Sequence, residues 1–364
     1  MTSNTPPAAG DGSRPGILLY GMYALNGQPN KAPTVRITLM TAALARQIHT
    51  ERITGGRFGR FWSALRWLAG GGAGRVGAVY VESATTSAMP TDLLFLAWMR
   101  LRGKPVGVYF RDAYQLFRHD YPRTRRSQVL ADWLWRLTTP VLARLATRRF
   151  APSAGLAAAL KLGNAVVLPP GTQPDDPDLG AGAEPLVAYV GNYGWADGFD
   201  VLLAAMAIVV QSWPEARLRA VGPAMSEAES AALPAYVEVR HSGRDGVTEA
   251  LRDARVCVIP RPITAYTNLA MPIKLWDYLS LGKPVVATAA TETERVLTES
   301  GAGITTPATP EGLAAGLLPL LQDRAVAQKL AVASSRFARS SGSTWDDRAR
   351  TVLATLGLAG TAGD

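Results

Sequence analysis

Lys274 and Asp277 stand three residues apart in the segment VCVIPRPITAYTNLAMPIKLWDYLSLGKPVVAT, residues 256–288. On a helix this spacing places both side chains on one face. An ammonium can neutralise a phosphate, and a carboxylate can accept two hydroxyl hydrogen bonds from a ribose, so the pair has the chemistry of a nucleotide clamp. The same residues also fit a surface lysine in an i,i+3 ion pair, and residue types alone leave both readings open. Lys274 falls in the first turn of its predicted helix, where a cation opposes the helix dipole by about 0.3–1 kcal/mol unless an anion lies beside it. A bound phosphate would remove that conflict.

The elements around the pair are legible. Val256, Cys257, Val258 and Ile259 form a short apolar run stopped by Pro260, as in a parallel strand covered on both faces. Pro272 suits a first helical turn, Ile273, Trp276 and Leu279 give an apolar stripe, and Gly282 is a C-terminal stop. A helix over about 272–281 is predicted. The loop before it leaves the strand's carboxyl end, where open α/β sheets collect ligands.

This stretch resembles the donor-binding motif of glycosyltransferase family 4, GT-B enzymes that use nucleotide-sugars and in which sequences like KLFEYLAAGKPVVAT are common. Other passages extend the resemblance in the same order along the chain. FAPSAGLAAAL (150–160) followed by VVLPPGT (166–172) resembles the passage that ends the family's N-terminal domain. LVAYVGNYGWADGFDVLLAAM (186–206) resembles the first strand, glycine loop and helix of its second domain, and ARLRAVG (216–222) the second strand. The match is good over residues 150–350 and loose before them. It implies an α/β fold of the GT-B type, with two Rossmann-like doubly wound domains facing across a cleft. The implied activity is transfer of a hexose-like sugar from a nucleotide-sugar donor to a glycan or polyprenyl-linked acceptor, in polysaccharide or glycolipid biosynthesis. Such enzymes neutralise the leaving diphosphate with amides, helix dipoles and basic side chains, and no Asp-x-Asp metal site is read in the chain. No metal and no cofactor beyond the nucleotide-sugar substrate is therefore expected.

The resemblance also assigns site residues. Gly191, Asn192, Tyr193 and Gly194 follow a strand and precede a helix, so their backbone N–H groups are candidates for cradling the diphosphate, although structural βα turns look alike. The family's loop leads to an arginine and a lysine; the lysine position here holds Asp197, leaving Lys274, helped by Arg261, to supply the charge. His241, Ser242 and Gly243 correspond to the base-reading backbone, with Arg244 as a stacking partner or an ordinary surface residue. Of the family's E-x7-E glutamates, Asp277 matches the second and Leu269 stands at the first. Thr267, Asn268 and nearby amides are then the expected contacts to the donor sugar, and the choice between retention and inversion stays open. Arg111 and Asp112 follow PVGVYF where the family has a histidine–aspartate pair on the acceptor side. An inverting reaction needs a carboxylate to take the acceptor proton. Asp112 is the first candidate base, Glu82 the second, with His119 and Asp120 behind them; a structural ion pair is the competing role for each. Lys31 and Arg36 precede or enter the first helix and are acceptor-side candidates, with solvated charge an equal account.

At 364 residues with 48% apolar residues the chain suits two globular domains. The reading divides it into a disordered tail (1–15), an acceptor-binding domain (16–170), a Pro/Gly/Asp-rich linker (171–185), a nucleotide-sugar domain (186–342) and a closing helix (343–356) returning toward the first domain. Strands are predicted near 16–20, 76–81, 105–110 and 165–168, then 186–190, 217–221, 237–240, 255–259 and 284–288. The net charge of +9 hides an asymmetry: residues 1–170 carry 22 Lys/Arg against 7 Asp/Glu, and residues 171–364 carry 16 against 22. Within the basic half, 52–75 and 118–149 interleave arginines with Phe58, Trp62, Trp67, Trp133, Trp135 and leucines, which suits an anionic membrane surface, or else a core-facing stripe with solvated arginines. No apolar run reaches the roughly 18 residues that span a bilayer. The expected location is cytoplasmic, peripheral on the inner face of the cell membrane. No RRM, helix-turn-helix or zinc signature points to nucleic acid. The single Cys257 and three scattered histidines give no disulfide or metal pattern. Two rival readings remain: a soluble sugar-nucleotide epimerase, which has no use for the basic aromatic face, and a non-catalytic GT-B-like scaffold or binding protein, consistent with the missing charged residues.

Overall fold

The computed structural model describes residues 15–25, 32–174, 176–242 and 244–358, with Arg244 and Asp245 described by backbone alone. Lys31, Gly243, the Arg244 side chain and all but the last residue of the expected tail lie outside that description. Twelve strands among the described residues form two parallel six-stranded sheets. The first contains β1 (Gly16–Gly21), β2 (Thr50–Thr54), β3 (Val76–Glu82), β4 (Val106–Tyr109), β5 (Arg148–Ala151) and β6 (Val166–Val167), in spatial order β2-β1-β3-β4-β5-β6. The second contains β7 (Leu186–Val190), β8 (Arg217–Gly222), β9 (Val237–His241), β10 (Val256–Ile259), β11 (Val285–Thr288) and β12 (Gly303–Thr306), in the order β12-β11-β10-β7-β8-β9. Helices cover both faces of each sheet. This is the two-domain doubly wound α/β architecture expected from the sequence.

Strand periodicity builds the cores. Val79 and Val81 of β3 enter one cluster while Ala78 and Tyr80 enter the cluster on the opposite face. In β10, Val256 and Val258 face one side and Cys257 and Ile259 the other, all fully buried or nearly so. Three strands escape the sequence reading: β2, β5 and β12. Each is short and largely polar, and β2 and β12 are edge strands whose pairing only the assembled sheet supplies.

In both sheets the chain order reverses beside the first strand, between β1 and β3 and between β7 and β10, the topological switch points at which α/β crevices open. The loops leaving these strands build the cleft. Gly198 shows how tightly the β7 and β10 loops meet: it has φ +76° at the N-cap of the Phe199–Ser212 helix, and a Cβ there would lie 1.8 Å from the carbonyl oxygen of Pro260.

The chain crosses back at its end. Thr172 pairs with Thr344, and the Trp345–Thr355 helix buries Trp345, Val352 and Leu353 against Ile17, Leu19 and Ile37 of the first domain. Arg348 of this helix lies 5.4 Å from the ring centroid of Trp276 in the second domain.

Candidate functional site

The C-terminal wall of the cleft is built on Lys274. It stands in the first turn of the Ile273–Ser280 helix, and Leu275, Trp276, Tyr278 and Leu279 fix that helix by burial. The Tyr278 hydroxyl accepts from the backbone N–H of Val190 at 2.9 Å, tying the helix to the end of β7. The Lys274 Nζ lies 4.8 Å from the Tyr189 ring centroid and 3.6 Å from Asp197 Oδ1, is buried, and makes no hydrogen bond. Burial first, and the nearby Arg261 guanidinium second, push its pKa down to about 8 against the opposing pull of Asp197. Gly191 admits this approach, since a Cβ there would sit 2.6 Å from Nζ. Arg261, at the end of β10, also keeps a buried Nε without a partner. Two cations with open donors thus meet at the β7/β10 switch point, beside the 191–194 loop. Asp197, in the family's lysine position, is held by the Asn192 side-chain amide at 3.1 Å. The Tyr193 hydroxyl is buried there without a partner, and Asp277 is half-buried on the same helix.

Across the cleft, Arg111 and Asp112 follow β4. The Arg111 Nε donates to Asp112 Oδ2 at 2.9 Å, and its Nη2 donates to the hydroxyls of Thr85 and Tyr23. Thr85 donates to the same Asp112 oxygen at 2.8 Å. The other oxygen, Oδ1, accepts from the Tyr266 hydroxyl of the second domain at 3.1 Å. A cavity of about 250 Å³ opens between the two walls, lined on one side by Arg36, Thr85, Tyr109, Arg111 and Asp112 and on the other by Arg261, Tyr266 and residues 270–273. Asp112 is the sole carboxylate among the described residues lining it.

The structure redistributes several expected residues. Glu82 is withdrawn as a base: it is 1% exposed, and the Arg36 Nε donates to both its oxygens at 3.0 and 3.3 Å while Tyr80 donates at 2.8 Å. Its carboxylate fixes Arg36 rather than meeting a substrate. His119 is exposed and is not among the residues lining the cavity, so it is withdrawn as well. Thr267 is 2% exposed; its hydroxyl donates to Pro262 O and accepts from Thr264 N–H, which folds the loop and removes it from sugar binding. Asn268 Oδ1 accepts from the Thr291 N–H at the start of the Thr291–Ser300 helix. His241 ends β9 exposed, its Nδ1 3.2 Å from Gly222 O, followed by Ser242.

Sequence reasoning missed Tyr266, Thr85 and Tyr109, and it did not give Leu269 its contact with the first domain. Tyr266 sits among Tyr114, Phe117 and Tyr121 at centroid distances of 4.3, 5.7 and 5.5 Å, with its N–H bonded to Asp120 at 3.2 Å. Leu269 packs against Ala113, Trp135 and Leu156, and Ser153 donates to its carbonyl at 2.7 Å. A glutamate at this position would place its carboxylate in an apolar interdomain contact. The clustering of aromatic residues at 114–121 was the available signal for Tyr266, but no sequence spacing connects 114 to 266.

Comparison with known proteins now adds a family. The model for "Glycosyl transferases group 1" matches residues 184–323, the second domain and the whole cationic wall. Residues 184–323 are thus similar to a group 1 glycosyltransferase domain. Solved structures extend the likeness to both domains: sucrose-phosphate synthase from Thermosynechococcus elongatus has a TM-score of 0.64 at 16% identity, over 94% of this chain and 98% of that one. Anabaena Alr3699/HepE in complex with UDP gives 0.64 at 14%, over 94% and 100%. A putative UDP-N-acetylglucosamine 2-epimerase from Listeria monocytogenes gives 0.54 at 12%, over 94% and 96%. At these identities the likeness establishes the GT-B fold alone. A comparison with curated protein sequences finds no match.

The second domain inserts Tyr266 and Leu269 into the first, so Tyr266→Ala with Leu269→Ala should remove several kcal/mol of interdomain contact, at about 2–5 kcal/mol per truncated side chain. Small-angle scattering should show a larger radius of gyration for this variant with each domain still folded. An unchanged radius would mean that the linker and the Trp345 helix alone hold the domains together.

Proposed function

We propose that the protein transfers a sugar from a nucleoside-diphosphate-sugar to an acceptor held by its N-terminal domain. The observation that carries this reading is the Lys274 ammonium, buried without a hydrogen bond beside Arg261 and the 191–194 loop at the β7/β10 switch point. Buried polar groups are normally satisfied; Asp197 at 3.6 Å faces Lys274 as a counter-charge, and a diphosphate supplies the hydrogen-bond acceptors that both cations lack. Asp277 serves the ribose, and the β9 end with His241 and Ser242 serves the base. UDP bound in the Anabaena structure supports a pyrimidine nucleotide for this fold.

In the reaction the acceptor oxygen attacks the anomeric carbon, the bond from that carbon to the diphosphate oxygen breaks, and the acceptor proton passes to a base. Asp112 is that base, as the cavity's carboxylate, and the outcome is inversion. Lys274, Arg261 and the loop amides take up the charge on the leaving diphosphate, which leaves no step requiring a metal. The paired hydroxyl of Tyr266 couples domain closure to the orientation of Asp112.

The acceptor is a glycan or a lipid-linked saccharide at the cytoplasmic face of the membrane, in polysaccharide or glycolipid assembly. Three neighbouring helices of the first domain support this. Arg57–Ala69 exposes Phe58, Trp62 and Leu65; Pro90–Leu101 exposes Leu94, Trp98 and Leu101; Arg126–Leu145 exposes Leu130, Trp133, Leu137 and Val141. Exposed Arg57, Arg66, Arg100, Arg102, Arg125, Arg126 and Arg144 are interspersed with them. Trp67 and Trp135 instead face the interior, so the aromatic residues divide between core and surface. Among the described residues no helix is long and apolar enough to cross a membrane.

Three measurements test the reading. Thermal shift with UDP, GDP, dTDP and their sugars should stabilise the protein by about 2.7 kcal/mol for the right nucleotide at a hundredfold excess over Kd; no response to any of them removes the donor site, and binding without turnover favours a scaffold. Because Lys274 must be charged to hold an anion, nucleotide affinity should fall as pH rises through about 8, and Lys274→Arg should abolish that slope, since arginine stays protonated. Vesicles containing phosphatidylglycerol should sediment the protein in a salt-sensitive way, and Trp62→Ser with Trp133→Ser should weaken this about tenfold or more.

A further inference from the structure

We infer that the cavity between the domains is a site for an anionic group carried by the acceptor, a phosphate ester or a carboxylate, held by Arg36 and Arg111. The inference rests on the proposed acceptor role of the N-terminal wall and names the chemistry that wall selects. Arg36 is 1% exposed, and the Arg111 side chain is 10% exposed. Both line the cavity, and in each the terminal Nη1 is buried with no hydrogen-bond partner. The other nitrogens of both forks are occupied by the protein. Arg36 uses Nε on Glu82 and Nη2 on the Tyr80 hydroxyl at 3.4 Å; Arg111 uses Nε on Asp112 and Nη2 on Thr85 and Tyr23.

Such anchoring fixes the planar forks and leaves one donor on each. The Arg36 guanidinium carbon lies 3.5 Å from the Tyr109 ring centroid, and that of Arg111 lies 4.5 Å from the Tyr23 ring, so both are stacked as well as bonded. A neutral sugar hydroxyl would not need two buried guanidinium groups. Charge points the same way. Glu82 balances Arg36 and Asp112 balances Arg111, while Arg261 adds a positive charge on the opposite wall; behind the lining, Arg348 donates to the Pro170 carbonyl and Asp120 accepts from the Tyr266 N–H, so these two offset each other. The net positive charge that remains, together with the two open guanidinium donors, suits a phosphate ester or a carboxylate. Arg36 and Arg111 both hang from the first domain, across the cleft from Lys274, which assigns the anion to the acceptor and not to the donor.

The test is calorimetric binding to the full chain of hexyl phosphate, hexanoate, inorganic phosphate and hexanol, at low ionic strength, with and without saturating UDP. Hexyl phosphate or hexanoate should bind and hexanol should not; whichever binds tighter identifies the anion, and inorganic phosphate binding equally well would show that the attached chain contributes nothing. Arg111→Gln should weaken the anionic probe about tenfold or more, as loss of a charged hydrogen-bond donor does. So should the double variant Arg36→Gln with Glu82→Gln, which avoids stranding a buried carboxylate. Equal affinity for hexanol, or unchanged probe affinity in both variants, overturns the inference. Displacement of the probe by UDP also overturns it, because the anion site would then be the donor's. Arginine-dependent probe binding in a protein that binds no nucleotide would leave this site standing and remove the donor reading instead.

Discussion

The loop from Arg261 to Pro272 carries two demands at once, and the rest of the cleft follows from how it meets them. Its first end presents Arg261 to the crevice, while Tyr266 and Leu269 in its middle leave their own domain and enter the other. Tyr266 closes an aromatic cluster with Tyr114, Phe117 and Tyr121, and its hydroxyl reaches Asp112. Because the loop is anchored on both sides, the helix that begins at Ile273 starts from a fixed point, and Lys274 is held at the mouth of β7. Departure from the family pattern at Leu269 then has a physical reason: the position is an apolar contact between domains.

Charge placement separates framework from site. Arg60 and Asp92 make a bidentate pair, with the Tyr20 hydroxyl donating at 2.6 Å to the same carboxylate, and every member has a partner. That arrangement locks helices to the sheet and has nothing left to offer a ligand. Lys274, Arg261, Arg36 and Arg111 are different, since each is deeply placed and each retains an unbonded nitrogen. Burying such groups is unfavourable unless an acceptor arrives, and the proposed anion contacts would offset that cost. Arg348 extends the same field; burial, then the Arg36 charge, pull its pKa down to about 10.

Two acidic residues show how context sets the role of a carboxylate. Glu82 ends β3 and Asp112 follows β4, both at the carboxyl edge of the first sheet, and they read alike as candidate bases. Glu82 is enclosed by Arg36 and Tyr80, whereas Asp112 sits at the cavity wall and touches the opposite domain. The difference comes from the neighbours that the fold brings, not from the residue type or its distance from a strand.

Local pattern determined much of this protein. The apolar runs, the glycine stops and the Pro272 helix start located nine of the strands and the helix of Lys274 and Asp277, because buried parallel strands and short amphipathic helices write their periods directly into sequence. Polar edge strands such as β2 and β12 carry no such period and exist through pairing. The halves of the site lie far apart along the chain, Arg36 from Arg111 and Tyr266 from Asp112, and their meeting depends on sheet order and on domain contact. Whether a charged residue is a strut or an open donor is likewise set by which partners arrive across those distances, so only the tertiary structure could take Glu82 out of the reaction and leave Arg36 and Arg111 with hydrogen-bonding capacity to spare.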